Sequence, residues 1–250
     1  MREMFGSKLD SSKMGKRTKS AVALISNAIA EKRLDLAEEA NNLAEKVLTA
    51  TGVKVKASDR AGADKGSAAT EYLIFIANRE VEQLADIAIA AFDEGKDPSK
   101  LKKEVAAVFH GKQAIDIACF GRMLADAPDL NTDASAQVAH AFSIDQITPE
   151  YDYFTAVDDC ASDDNAGAAM IDTVGFNSST LYRYATLNVD ALRDQLQDAD
   201  AMVEGVSAFV EAFVKSMPSG KQNTFANHTL PEDIVIVLRD SQPISAADAF

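Results

Sequence analysis

The sequence predicts an α+β protein whose helices come mainly in the first half and whose strands come mainly in the second. Two observations carry this prediction. Apolar residues recur at helical spacing up to about residue 110, and beyond it they alternate with polar ones as in half-buried strands. With 250 residues, 47% of them hydrophobic, the chain can bury a substantial core, as one large domain or two small ones.

The helical half contains three candidate segments. Residues 20–49 are rich in alanine, and their apolar side chains fall at helical spacings. Ser67 is a candidate cap for a second helix, whose apolar stripe spans 73–91. Asp97 and Pro98 have the pattern of an N-cap followed by a proline in the first turn, which predicts a third helix.

The second half alternates between apolar and polar residues in several places. Residues 115–119, 138–144 and 180–189 are predicted strands. A long helix capped by Asp190 is expected to follow the third of them. The run Ile234–Leu238 is short and wholly apolar, which predicts a central strand.

Three strands, a helix and a further strand, preceded by a helical insertion, predict a ferredoxin-like core with helices added to it. A complete core of this type begins with a strand, and we find no strand pattern at the start of the chain. The last residues, 246–250, resemble the opening of a helix. We therefore expect a fragment trimmed at both ends, with its first core strand missing.

The charge is distributed unevenly. The net charge is −14, which argues against a protein that coats nucleic acid with its whole surface. Residues 1–19, however, hold six basic and two acidic side chains, a balance of +4, so the other residues carry −18. Such a chain could bind a phosphate backbone along one stripe; alternatively, the basic segment is a solvated tail.

Several functional classes lack support. No apolar run is long enough to span a membrane, and no signal peptide is recognised, so we expect a cytoplasmic protein. The two cysteines form no disulfide framework, and no nucleotide-binding or metalloprotease motif occurs, so no cofactor or metal is predicted. The pairs Asp158–Asp159 and Asp163–Asp164 could form a metal-dependent cleavage site, although a solvated acidic loop is the preferred interpretation.

One block carries a resemblance to a known family. It contains four segments in order: Ile115–Met123, Ala139–Phe142, Asp152–Asp159 and Leu181–Asn188. Their order and spacing resemble the CRISPR-RNA-binding backbone subunit of the type I-E Cascade complex, the CasC family. The resemblance is close from about Gln113 onward, whereas in the helical half only order and length agree.

The resemblance implies an RRM-like (ferredoxin-like) palm, a helical fingers region and a thumb hairpin. Residues 1–19 would be a basic remnant of the palm and 20–112 the fingers. Residues 113–146 and 176–250 would form the rest of the palm, and 147–175 the thumb.

The family also implies roles for particular residues. Met123 would be a wedge beside a kinked base, with Arg122 holding the phosphate chain. Phe154 would be an apolar tip of the thumb that inserts near the RNA kink and against the next subunit. The full set of predicted RNA contacts is Arg2, Lys8, Arg122, Met123, Phe154, Lys221 and Gln222.

Three hypotheses follow. In the preferred one the chain is not an enzyme: copies polymerise as a helical filament along a CRISPR RNA, beside other Cascade subunits, and target DNA is bound through the guide. In the alternative it is a target-RNA-cleaving backbone subunit of a type III-like complex, motivated by the paired aspartates. In the third it is a folded module without RNA affinity.

Overall fold

The fold is described from a computed structural model, which covers residues 1–57, 68–156, 160 and 170–247. These residues form two compact units. The first contains residues 1–137 and 187–237, and the second contains residues 138–186 and the chain from Leu238 onward.

Helices dominate the first unit. They are Arg2–Gly6 (α1), Ala21–Lys32 (α2), Ala40–Thr49 (α3), Asn78–Asp93 (α4), Lys102–Phe109 (α5), Ile115–Phe120 (α6), Val189–Leu196 (α7), Ala199–Lys215 (α8) and Gln222–Phe225 (α9). Short 3₁₀ turns lie at Ser11–Lys13, Leu34–Leu36, Pro98–Lys100 and Pro128–Leu130. The main core lies between α2, α3, α4 and α5, where Ile25, Leu48, Leu84 and Phe109 are among the fully buried side chains.

Strands also occur in the first unit, contrary to a purely helical first half. Gly15–Thr18 (β1) pairs antiparallel with Ile74–Ala77 (β4), and Val55–Ala57 (β2) pairs with Ala68–Thr70 (β3). The prediction that no strand lies near the start of the chain is therefore wrong. Phe75 and Ile117 pack against Gly15 so closely that a Cβ there would lie 2.6 Å from the Phe75 ring. Such packing stabilises a strand that has little strand character of its own.

The helix expected to begin at Ser67 begins later. The four residues of β4 are all buried, and α4 starts directly after it, at Asn78. Ser67 lies outside the described residues. An apolar run with buried side chains on both faces fits a strand as well as a helix. The prediction from the apolar stripe at 73–91 therefore treated β4 and α4 as one helix.

Residues 115–119 form helix α6, so the strand predicted for them is wrong. Each of these five residues is buried, including Asp116, whose Oδ1 accepts a hydrogen bond from the Gly15 N–H at 2.8 Å. The polar residue that suggested alternation is thus inside the protein, where it satisfies a backbone donor.

The single long helix predicted after Asp190 is two helices. Asn188 caps α7, Gln197 adopts a left-handed conformation (φ 49°), and Asp198 caps α8. Each cap accepts a hydrogen bond from a backbone N–H in the first turn of its helix.

Short strands form the second unit and its junctions with the first. They are Ala136–Val138 (β5), Phe142–Ser143 (β6), Glu150–Ala156 (β7), Met170–Phe176 (β8), Leu181–Tyr182 (β9) and Ala185–Leu187 (β10). β7 and β8 form an antiparallel ribbon in which Glu150 faces Phe176 and Ala156 faces Met170. β6 pairs with β9, where the rings of Phe142 and Tyr182 lie 5.1 Å apart, so Tyr182 has a cross-strand packing role.

The run Ile234–Leu238 is not a strand in this structure. Its five apolar side chains are each at least 55% exposed, and the run pairs with no strand of the described chain. The predicted central strand is therefore wrong here, because a strand needs a neighbour to pair with its backbone groups. None of the helices described above is long and apolar enough to cross a membrane.

Candidate nucleic-acid interface

A short extended segment, Gly121–Leu124, follows α6 and is held along its length. The Arg122 N–H donates to the Thr132 carbonyl, and the Arg122 carbonyl accepts from the Thr132 N–H, both at 2.9 Å. The Leu124 N–H donates to Asn131 Oδ1 at 2.7 Å. Arg122 and Leu124 are buried while Met123 between them is 78% exposed, as the alternation of an extended segment requires.

Gly121 makes the turn into this segment. Its backbone has φ 75° and ψ 168°, a region that is essentially restricted to glycine. A Cβ there would lie 2.9 Å from the Thr132 carbonyl oxygen and 3.1 Å from the Ala134 nitrogen. The chain can therefore leave α6 in this direction only with glycine at this position.

The Arg122 side chain is a buried connection between several elements. Its guanidinium donates to Glu80 Oε1 at 2.6 Å and to the Phe109 carbonyl at 2.9 Å. Longer contacts of 3.3 Å join it to Gln113 Oε1 and Thr132 Oγ1. Glu80 also accepts the Ala77 N–H at 2.8 Å, which caps α4.

This position does not fit a phosphate contact for Arg122. Its side chain is 0% exposed, and its donors are directed at groups inside the first unit. Because a buried arginine with a paired carboxylate is costly to uncover, we assign it a structural role. It holds the segment from which Met123 projects, and Met123 itself is placed as a wedge requires, though its role stays a prediction.

A second group of interest surrounds the Phe75 ring on β4. The guanidinium carbons of Arg2 and Arg17 lie 4.6 Å and 5.0 Å from its centroid. Arg2 also approaches Asp116 Oδ2 at 3.4 Å, and Asp116 accepts the Gly15 N–H. Burial raises the pKa of Asp116, and the Gly15 N–H and Arg2 partly offset that shift.

The other basic residues of the N-terminal segment divide into two groups. Lys8 pairs with Glu211 at 2.8 Å and Lys13 with Glu204 at 2.6 Å, both on α8. Lys16 and Arg17 are exposed on β1, and neither forms an ion pair with a residue that the structure describes. Lys8 would have to exchange its carboxylate for a phosphate to bind RNA, whereas Arg17 would not.

The β7–β8 ribbon exposes aromatic and apolar side chains. Tyr151 and Tyr153 are 69% and 76% exposed, and Phe154 is 40% exposed opposite Asp172. A two-stranded ribbon with exposed residues on both faces is marginally stable by itself. Phe154 is thus partly exposed, and its insertion near RNA and against a neighbouring subunit stays a prediction.

Lys221 and Gln222 lie at the start of α9. Lys221 is exposed and adopts a left-handed conformation, with φ 61°. The Gln222 amide donates to the Pro218 carbonyl at 2.9 Å, which stabilises the turn. Lys221 thus has a free approach from solvent, and Gln222 is partly committed to its own loop.

The predicted residues lie on several separate stretches of the chain. Arg122 and Met123 share a segment, whereas Arg2, Lys8 and Lys221 lie on other elements of the first unit, and Phe154 lies in the second. The sequence-based search missed Glu80, the carboxylate that fixes Arg122. It also left Arg17 out, although the absence of any acid between Asp10 and Glu31 was a usable signal.

Metal-ligating side chains were compared across the part of the chain that the structure describes. No group of three or more histidine, cysteine, aspartate or glutamate side chains converges there. The pairs Asp158–Asp159 and Asp163–Asp164 lie outside the described residues. Burial raises the pKa of the Cys119 thiol to about 12, with Asp116 contributing, so this thiol is not activated.

Comparison with known proteins now adds to this picture. A search of curated proteins found no match. One chain of a solved structure titled "CRISPR RNA-guided surveillance complex, pre-nicking" has 29% identity and a TM-score of 0.71, over 99% of this chain and 69% of that one. A chain of a "CRISPR RNA-guided surveillance complex" has 38% identity and a TM-score of 0.49, over 54% of this chain and 52% of that one.

The family comparison covers the whole sequence. The model of the CT1975-like protein family matches residues 1–250. Together with the similar surveillance-complex chain, this confirms the resemblance to Cascade backbone proteins that the four sequence segments indicated. The chain belongs to the CT1975-like protein family.

Proposed function

We propose that this chain is a backbone subunit of a type I-E Cascade complex in the cytoplasm, and that copies of it polymerise along CRISPR RNA. The single observation that carries the proposal is the Gly121–Leu124 segment. Met123 is 78% exposed there, and the backbone of the neighbouring Arg122 is hydrogen-bonded to Thr132. Met123 also lies inside the motif that resembles the family. An exposed thioether beside buried neighbours is suited to insertion between bases.

Binding in this proposal depends on phosphate and sugar contacts, so it is largely independent of the RNA sequence. The acidic total charge favours a confined binding surface, and the basic residues near the N-terminus supply one. The β1–β4 pair and the strands β5, β6, β9 and β10 would belong to the RRM-like palm. The exposed ribbon of β7 and β8 would be the thumb that contacts the neighbouring copy.

The proposed role is non-enzymatic. The chain would hold the guide with its bases available to pair with target DNA, alongside the other subunits of the complex. Support for a place in a guide complex comes from the similarity to a chain of an RNA-guided surveillance complex.

Assembly with RNA tests the proposal. The chain is co-expressed with a CRISPR RNA and the other Cascade subunits, and the purified complex is examined for RNA content and binding to target DNA. We expect Met123→Ala combined with Phe154→Ala to reduce both. Leu34→Ala, at a side chain that is 83% exposed and has no proposed RNA role, is the matched control.

Unchanged assembly, RNA protection and DNA binding in the double variant would refute the wedge and thumb roles. A complex that cuts complementary RNA in the presence of a divalent metal, with cutting lost on Asp158→Ala or Asp163→Ala, would refute the non-enzymatic role.

A further inference from the structure

The N-terminal strand β1 and helix α1 bring two arginines to one aromatic ring. The guanidinium of Arg2 lies 4.6 Å and that of Arg17 lies 5.0 Å from the Phe75 centroid. Phe75 is directly opposite Arg17 in the β1–β4 ladder, so this placement is built into the strand register. Phe75 is itself only 5% exposed, so the ring serves as a fixed support for both cations.

Of the two cations, Arg2 has an acidic partner among the described residues and Arg17 has none. Asp116 is the acid that approaches them, and it contacts Arg2 at 3.4 Å while its other oxygen binds the Gly15 N–H. The Arg17 side chain is exposed, and neither a hydrogen bond nor an ion pair joins it to any residue in the described ranges. Its planar fork of donors is therefore held in place by the ring but left without an acceptor.

The surrounding sequence increases the excess of positive charge. Lys16 and Lys19 flank Arg17, and no acid occurs between Asp10 and Glu31. In a protein of net charge −14, this makes the β1 edge an isolated basic surface. Arginine forks fit phosphate oxygens with two parallel hydrogen bonds, whereas a lysine acts as a point charge.

We propose that Arg17, supported by Phe75 and accompanied by Arg2, binds a phosphate of the RNA backbone. Lys16 and Lys19 add an attractive field around this contact. The inference rests on the proposed RNA-binding function and adds a binding residue to it.

Salt-dependent binding of single-stranded RNA tests this site. The binding constant of the purified chain is measured by fluorescence anisotropy at several salt concentrations, and the logarithms are plotted against each other. For a single strand the slope changes by about 0.7 for each phosphate contact. We expect Arg17→Gln to make the slope shallower by about that amount, and Arg17→Lys to keep the slope but weaken binding.

Arg33→Gln is the matched control, because it removes the same charge from an arginine already paired with Asp35 and Asp93. It should leave the slope unchanged. The thermal midpoint of each variant is measured alongside, and Arg17→Gln should match the unmodified chain, since its side chain is exposed.

The outcomes separate the two proposals. If the unmodified chain binds RNA and Arg17→Gln has the slope of Arg33→Gln, the Arg17 site is refuted and the proposed function stands. If the unmodified chain shows no salt-dependent RNA binding, the RNA-binding function itself is refuted, and the site with it.

Discussion

The burial of side chains around Arg122 in the first unit is opposite to that on the β7–β8 ribbon of the second. Arg122 and Glu80 are both charged, yet they are fully buried and hydrogen-bonded to each other at 2.6 Å. Tyr153 and Phe154 have apolar rings, yet they are 76% and 40% exposed. A buried charge pair fixes local geometry, whereas exposed rings on a thin ribbon call for a partner surface.

The comparison separates two kinds of residue in the motifs of the resemblance. Arg122 and Glu80 hold the segment that carries Met123, and their loss should unfold or distort the first unit. Residues on the ribbon should be neutral in the isolated chain and matter only in an assembly. The predictions below test this division, in order of decreasing effect on stability.

The largest effect is expected for Arg122→Leu. The substitution leaves the Glu80 carboxylate buried without its cation, which costs about 3–5 kcal/mol. The free energy of unfolding in urea, measured at neutral pH, checks this. Lys96→Leu is the control, because Lys96 is an exposed lysine whose ion pair is with the exposed Glu94, and it should change little.

Adding Glu80→Gln to Arg122→Leu should recover part of the loss, since the uncompensated charge is then removed. If Arg122→Leu were as stable as the unmodified chain, the guanidinium would not be buried as described. That result would restore its role as a phosphate contact.

A smaller effect is expected for Gly121→Ala. The backbone at Gly121 belongs to a glycine-only region, and the added Cβ would clash with the Thr132 carbonyl at 2.9 Å. The expected loss is about 1–3 kcal/mol. Gly95→Ala is the matched control: Gly95 also has a positive φ of 66°, but nothing lies within 4 Å of its Cβ position. Equal losses for both variants would show that the close packing at Thr132 contributes nothing.

Phe154→Ala should hardly change the stability of the isolated chain, with a difference within about 0.5 kcal/mol. Its side chain loses little burial, because it is already 40% exposed. Urea unfolding of the chain and RNA recovery from the assembled complex are measured together. A clear loss of stability in the isolated chain would show that the ribbon packs against its own unit, which contradicts the partner role.

The smallest effect concerns thiol chemistry and needs no mutation. Cys119 is buried with its pKa raised to about 12, whereas Cys160 is exposed. Iodoacetamide at pH 8 should therefore modify about one thiol per native chain and both after denaturation. Mass spectrometry identifies the modified residue, and labelling of Cys119 in the native chain would contradict the packing around α6.

The parts predicted from sequence are those that depend on neighbours in the chain. Helices α2, α3 and much of α4 follow apolar spacing. The paired strands β7 and β8 lie, except for Phe176, within residues 147–175, where the family resemblance implied a thumb. Residues 115–119 were misassigned because a six-residue element buried on all sides has no useful period. The strand at Ile234–Leu238 was misassigned because strand formation depends on a neighbour, which composition does not report.

The sequence by itself determined the family, because the order and spacing of four short segments can be read without a structure, and the family model matches the whole sequence. It also located the basic N-terminal segment in an acidic chain. Tertiary structure alone decided which basic residues are available to a ligand. Arg122 is buried and paired with Glu80, which is 42 residues away in the sequence. Arg17 packs against the Phe75 ring and stays exposed to solvent. Such pairs form only when distant segments meet, and burial then gives Arg122 a structural role in place of the phosphate contact expected from sequence.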